Sequence, residues 1–176
     1  DETQIHVDNT YRQQEMYFST SNVYEILPKW SVSMSYDFKW NKLNANMVDF
    51  AFPHRYSNFV SLATALTLSR IQAQASVVEQ VVKDHVKYGA SSPSRSTLTP
   101  AFFMNVYPFN SKLLAVRAFA KKSFRMPTFN DLYYADMGNS KLNPESALQY
   151  DLGFVLNKDW KQGVVDHFRL QVDGYY

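Results

Sequence analysis

Hydrophobic and polar residues alternate with period two along most of this chain. In SVSMSYDFKW, Val32, Met34, Tyr36, Phe38 and Trp40 fall on one face, and Ser31, Ser33, Ser35, Asp37 and Lys39 on the other. ALQYDLGFVLN sets Leu148, Tyr150, Leu152, Phe154 and Leu156 against Gln149, Asp151, Gly153, Val155 and Asn157. HFRLQVDGYY sets Phe168, Leu170, Val172 and Tyr176 against His167, Arg169, Gln171, Asp173 and Tyr175. Successive side chains of a strand point to opposite faces, so these are strands with one apolar side. Weaker alternation extends the reading to eight strands, near 10–26, 30–43, 58–68, 70–85, 97–107, 112–122, 146–157 and 164–176. In SVVEQVVKDHV, Val77, Val78, Val81 and Val82 recur at helical spacing, but β-branching and the preceding alternation RIQAQASV favour a strand.

The connections alternate in length. LPK (27–29), SR (69–70), PFNS (108–111) and KDWKQG (158–163) are short, whereas 44–57, 86–96 and 123–145 are long. Tight turns on one rim and long loops on the other describe an antiparallel transmembrane β-barrel meander. A soluble sandwich mixes its long crossovers between both ends. Trp30 and Trp40 share the apolar face of one strand, ten residues apart. That is roughly 33 Å along the strand, or about 25 Å of height at barrel tilt, which matches the band between aromatic girdles. The opposite face is Ser, Gln, small Ala and charge, with Asp37, Lys39, Arg117, Lys121, Arg169 and Asp173 pointing into a watery lumen. Strand 30–43 climbs from a short turn, so the first strand descends from the long-loop rim, and the last strand climbs to it. Both ends on that rim lead to the expectation that residues 1–176 are part of one larger barrel domain. The alternatives are a complete eight-stranded adhesin or structural barrel and a soluble carbohydrate-binding β-sandwich.

Composition narrows the chemistry. Aromatics are 16%, with 12 Tyr and 13 Phe against 5 Gly, which suits long strands. A formal charge of +2 with no run of five like charges does not make a nucleic-acid groove. With 0 Cys there is no disulfide, thiolate or Cys-based zinc chemistry. No stretch approaches the roughly 18 apolar residues of a spanning helix, and residues 1–20 carry no secretory apolar region. His6, His54, His85 and His167 lack metal-binding spacing, and no nucleophilic triad, phosphate loop or carboxylate pair stands out. The sequence therefore predicts no catalytic residue, no metal and no cofactor, and the protein is not expected to be an enzyme. AFPHRY offers His54, Arg55 and Tyr56 in a long loop as candidate ligand contacts.

The longest loop carries the most specific signal. AVRAFAKKSFRMPTFNDLYYADMGNSKLNPESALQYDLGF resembles a segment in the barrels of TonB-dependent outer-membrane receptors. The matching residues are Phe124, Arg125, Pro127, Thr128, Leu132, Tyr133, Gly138, Asn139, Leu142, Pro144 and Glu145. The upstream WSVSMSYDFKWNKLNANMVDFAFPHRY looks like a branch of the same family. The resemblance implies a 22-stranded barrel of which eight strands are seen here, with the plug domain and remaining strands absent. It implies uptake of a siderophore-iron, haem or cobalamin type of cargo across the bacterial outer membrane, energised by the TonB complex through a missing N-terminal region. The implied partners are that complex, a metal-chelate or similar small molecule, and outer-membrane lipid. In physical terms, Pro127 stops the ladder by lacking an amide donor, and Thr128 satisfies local backbone. Gly138-Asn139 supplies residues that tolerate positive φ in a turn. Tyr133 and Tyr134 are further candidates for ligand contact.

Overall fold

The computed structural model describes residues 9–111, 113–134, 137–160 and 166–176. Eight strands follow one another: β1 Tyr11–Leu27, β2 Trp30–Ala45, β3 His54–Thr67, β4 Ile71–His85, β5 Arg95–Val106, β6 Leu114–Arg125, β7 Glu145–Asp159 and β8 His167–Tyr175. They form a single sheet in chain order, each strand antiparallel to the next. All eight predicted strands are present, and SVVEQVVKDHV lies almost wholly within β4. β3 begins earlier than expected, at His54, and β6 runs on to Arg125. Residues 164–165 and the end of the KDWKQG turn lie outside the described residues.

The register carries each face unbroken across the strands. On one face Phe18 opposes Phe38, Met34 opposes Leu62, Leu62 opposes Val77, and Phe154 opposes Val172. This face is bare: Met34 is 53% exposed, Leu62 51% and Val172 56%. Among the described residues there is one sheet and no second layer covers this face, which removes the sandwich alternative. An apolar face of this extent is unfavourable in water and at home in lipid, where ladders satisfy the backbone and no core is needed. No helix of the described residues is long and apolar enough to cross a membrane. The chain forms the wall of a transmembrane β-barrel.

The other face holds the rows expected of a lumen. Ser21, Ser35 and Ser61 stand abreast, as do Arg117, Gly153 and Asp173. Arg117 reaches across Gly153 to Asp173 at 2.5 Å, through space that a β-carbon on Gly153 would take from both side chains. Lys39 pairs with Glu15 at 2.9 Å. The face is less uniformly polar than the alternation suggested: Phe103 and Phe119 oppose one another on it, and Val155 is buried there. Among the described residues no ladder joins β1 to β8, so the sheet is open and each terminal strand has one neighbour.

The only sizeable buried apolar cluster among the described residues lies at the long-loop end of the sheet. It comprises Leu43, Phe50, Phe129, Leu132 and Tyr133. Only Leu43 comes from a strand. The loops bring their own core.

Candidate functional site

Three long connections, 46–53, 86–94 and 126–144, meet over the polar face at one rim. The longest is organised by a single helical turn, α1 (Phe129–Tyr133), which the alternation analysis did not predict. β6 ends at Arg125, and the buried Pro127 follows. Thr128 then caps α1: its hydroxyl accepts from the Asp131 amide at 3.3 Å, while the Asp131 carboxylate accepts from the Thr128 amide at 2.8 Å. This reciprocal box satisfies amides that a short helix otherwise leaves bare. The Thr128 hydroxyl and amide hold the Asp131 carboxyl below its usual range.

Gly138 then folds back on α1. Its amide donates to the Tyr134 carbonyl at 2.8 Å, and the Asn139 amide donates to the Asp131 carbonyl at 2.9 Å. A β-carbon on Gly138 would lie 2.6 Å from the Tyr134 nitrogen and 2.8 Å from the Leu132 oxygen. The glycine is therefore needed for close backbone approach, which corrects the positive-φ expectation. Among the described residues positive φ occurs at Phe52 and Gly89. Asn139 turns the chain with its side-chain oxygen, which accepts from the Lys141 amide at 3.0 Å. The Leu142 amide bonds the Asn139 carbonyl, and Pro144 leads into β7. Arg125 and Glu145 oppose one another across the loop's base at 3.6 Å, both largely exposed, a geometry that contributes little.

A buried polar knot anchors this loop to the barrel wall. Arg55 on β3 grips Asp84 on β4 through two bonds, Nε to Oδ1 at 2.7 Å and Nη2 to Oδ2 at 2.8 Å. Arg55 also donates to the Pro127 carbonyl at 2.7 Å, and its guanidinium lies 5.0 Å from the Phe129 ring centre. The Tyr133 hydroxyl donates to Asp84 at 2.9 Å and accepts from the Ser92 amide at 2.9 Å. Asp84 has no exposed side-chain surface and Ser92 is buried. Such a carboxylate is tolerated because three donors, two from Arg55 and one from Tyr133, are aimed at it. Burial raises the Tyr133 hydroxyl above its usual pKa, with the Asp84 charge adding to the effect.

The candidate contacts thus separate. His54 and Tyr56 lie on the lipid side, packed against Trp40 and His85 respectively, while Arg55 between them turns inward. Period two forbids three consecutive strand residues from sharing a face. Because β3 begins at His54, AFPHRY is not wholly a loop. Tyr133 is buried in the knot, whereas Tyr134 remains 40% exposed and stacks on Tyr11 at 5.1 Å. His6 lies outside the described residues. Among the described residues no three metal-ligating side chains converge.

The three loops enclose an open cavity of about 490 Å³, lined among others by Met47, Phe50, Tyr88, Leu132, Tyr133 and Tyr134. Rings connect its walls: Phe50 meets Phe52 at 5.4 Å, Phe52 meets Tyr88 at 6.4 Å, and Tyr11 meets Phe50 at 5.8 Å. The Lys87 amide ties its loop to Ala51 at 2.8 Å. An amphipathic aromatic cleft with few charges suits a large, flat, partly polar ligand. Asp84, Ser92, Phe50 and Tyr88 were not anticipated, since only the strand register brings Asp84 opposite Arg55 and the loops to its side.

A family model described as TonB dependent receptor-like, beta-barrel, matches residues 62–176. The vitamin B12 transporter BtuB of Photobacterium profundum is 49% identical over 39 residues, which is 22% of this chain and 6% of that protein. The chain therefore aligns with only a small part of that relative's length. With the family model covering well over half the chain, on a meander that is bare toward lipid and capped by long loops, the protein belongs to the TonB-dependent receptor β-barrel family, whose members are outer-membrane transport receptors.

Proposed function

We propose that this chain is part of the wall and outer cap of a receptor in the bacterial outer membrane. The receptor takes up a scarce, bulky nutrient of siderophore-iron, haem or cobalamin type, driven by the TonB complex. The observation that carries the reading is the aromatic cleft of about 490 Å³ at the junction of the three long loops. It opens on the rim where arriving ligand would first make contact. The open edges of β1 and β8 support membership of a larger barrel, because lipid cannot satisfy unpaired ladder groups. The plug and TonB-contacting segments would belong to the same parent chain. The work is binding and gated passage, without covalent chemistry. The named activity of the BtuB relative supports the cobalamin branch of the ligand class.

The test uses the full-length receptor. Binding of a ferric siderophore, haem and cobalamin is measured separately by calorimetry, with Tyr88→Ala and Tyr134→Ala as variants. Aromatic contacts of this kind contribute about 0.5–1.5 kcal/mol beyond burial, so one cargo should bind up to about tenfold more weakly to each variant. Unchanged affinity in both variants would remove the cleft from the function. Orientation is tested separately with an epitope at Ala135–Asp136, which lie outside the described residues. It should be detected on intact cells.

A further inference from the structure

A second cavity, of about 400 Å³, lies on the lipid side of the long-loop rim. Its lining includes Lys42, Asn44, Phe52, His54, His85 and Lys87, and no carboxylate. The register explains the convergence: Lys42 stands opposite His54, and His54 opposite His85, in one row across β2, β3 and β4. Among the described residues neither Lys42 nor Lys87 has a carboxylate within ion-pair distance. Lys87 is held between two rings, 5.6 Å from the Phe52 centre and 5.1 Å from that of Tyr88. Phe52 reaches this position at φ 46°, a conformation that bulky residues rarely adopt and that clusters at binding sites. The next row on the same face, toward the opposite rim, is Trp40, Tyr56 and Lys83, followed by Phe38, Asn58 and Val81, then Tyr36, Val60 and Glu79, then Met34, Leu62 and Val77. A mostly apolar wall, an aromatic row that also carries Lys83, and the rim cations Lys42 and Lys87 thus follow in that order toward the rim.

We infer that this pocket binds the phosphate of a lipid headgroup in the outer leaflet, with the acyl chains lying along the apolar wall beneath it. Lysines serve as point-charge phosphate donors. Asn44 and the imidazoles add neutral or charged N–H groups. A lipid is favoured over a free anion because the pocket lies on the membrane face, with Lys42 about 7 Å along its strand from the girdle row, and not on the lumen side. The inference rests on the orientation proposed above, which the epitope measurement tests independently.

The experiment compares phosphatidic acid with diacylglycerol of the same chains, which differ only in the phosphate. Retention of each by the full-length receptor is measured by native mass spectrometry. The receptor should retain phosphatidic acid preferentially, and Lys42→Ala with Lys87→Ala should weaken this by about 30-fold, as expected for two cations at a membrane surface. Lys121→Ala, on the opposite face, should leave retention unchanged. If the alanine pair fails to assemble, Lys42→Gln with Lys87→Gln replaces it. No preference for phosphatidic acid, equal loss on Lys121→Ala, or displacement by excess inorganic phosphate would each overturn the inference.

Discussion

Replacing Tyr133 by Phe removes one oxygen from the knot that fastens the longest loop to the wall. Packing is retained, because the ring stays among Phe129, Leu132 and Leu43. Two hydrogen bonds are lost: the donation to Asp84 and the acceptance from the Ser92 amide, each 2.9 Å. The first is charge-assisted. The second leaves a backbone N–H unpaired at a residue that is 2% exposed. Bonds to charged groups contribute about 1.5–3 kcal/mol and an orphaned buried donor costs about 1–3 kcal/mol, so a combined loss of about 2.5–6 kcal/mol is expected. That multiplies the opening equilibrium of the cap by about 30-fold or more. The strands should feel little of it, since their ladders are intact. Hydrogen exchange on the full-length receptor should show protection falling across 86–94 and 126–144 and unchanged in β2 and β3. The same variant tests a pH effect. Burial raises the Tyr133 pKa, so the closed cap holds that proton more tightly than the open one. Its contribution is complete below the unfolded value of about 10 and is lost as pH rises through the folded value. The wild-type cap should therefore loosen in strong alkali by a component that Tyr133→Phe lacks. Equal protection in wild type and variant would show that Arg55 and Asp84 hold the loop without Tyr133.

Two glycines make contrasting predictions. Gly138→Ala forces a β-carbon into backbone and should open the 126–144 loop to limited proteolysis, whereas Gly153→Ala meets only the movable ends of Arg117 and Asp173 and should leave proteolysis unchanged. Thr128→Ala removes the cap of α1 and should reduce loop protection by about 1 kcal/mol in hydrogen exchange. Because the Asp131 pKa is lowered in the folded loop, its contribution is present above the ordinary carboxylate range, and protection should decline as pH falls through the folded value, an effect missing in Asp131→Asn.

The strands were legible because a barrel wall is governed by one local rule. Val32, Met34, Tyr36, Phe38 and Trp40 need only the pleat to reach lipid, and no distant partner decides their face. The loop was legible as a motif but only partly as a structure. Pro127 and Thr128 act locally, so a ladder stop and a hydroxyl that satisfies nearby backbone followed from residue chemistry, whereas the helical turn that Thr128 caps did not. Gly138 has two possible uses, positive φ or close approach, and only the folded path of Tyr134 distinguishes them. The anchoring role of Tyr133 was not legible because its partners, Asp84 and Ser92, are 49 and 41 residues away in sequence. Phe103 opposite Phe119 likewise depends on register, which no single strand encodes. His54, Arg55 and Tyr56 are divided between two faces because β3 starts earlier than the alternation indicated.

The central claim is that the apolar face meets lipid and the polar face a wet lumen. Spin labels placed singly at Met34 and Phe38, and at Ser33 and Lys39, in the full-length receptor in bilayers test it most directly. Labels at Met34 and Phe38 should collide readily with dissolved oxygen and poorly with a water-soluble nickel complex, and labels at Ser33 and Lys39 should show the reverse. Labels at Met34 and Phe38 that are shielded from both reagents would place that face in a dry protein core and contradict the account.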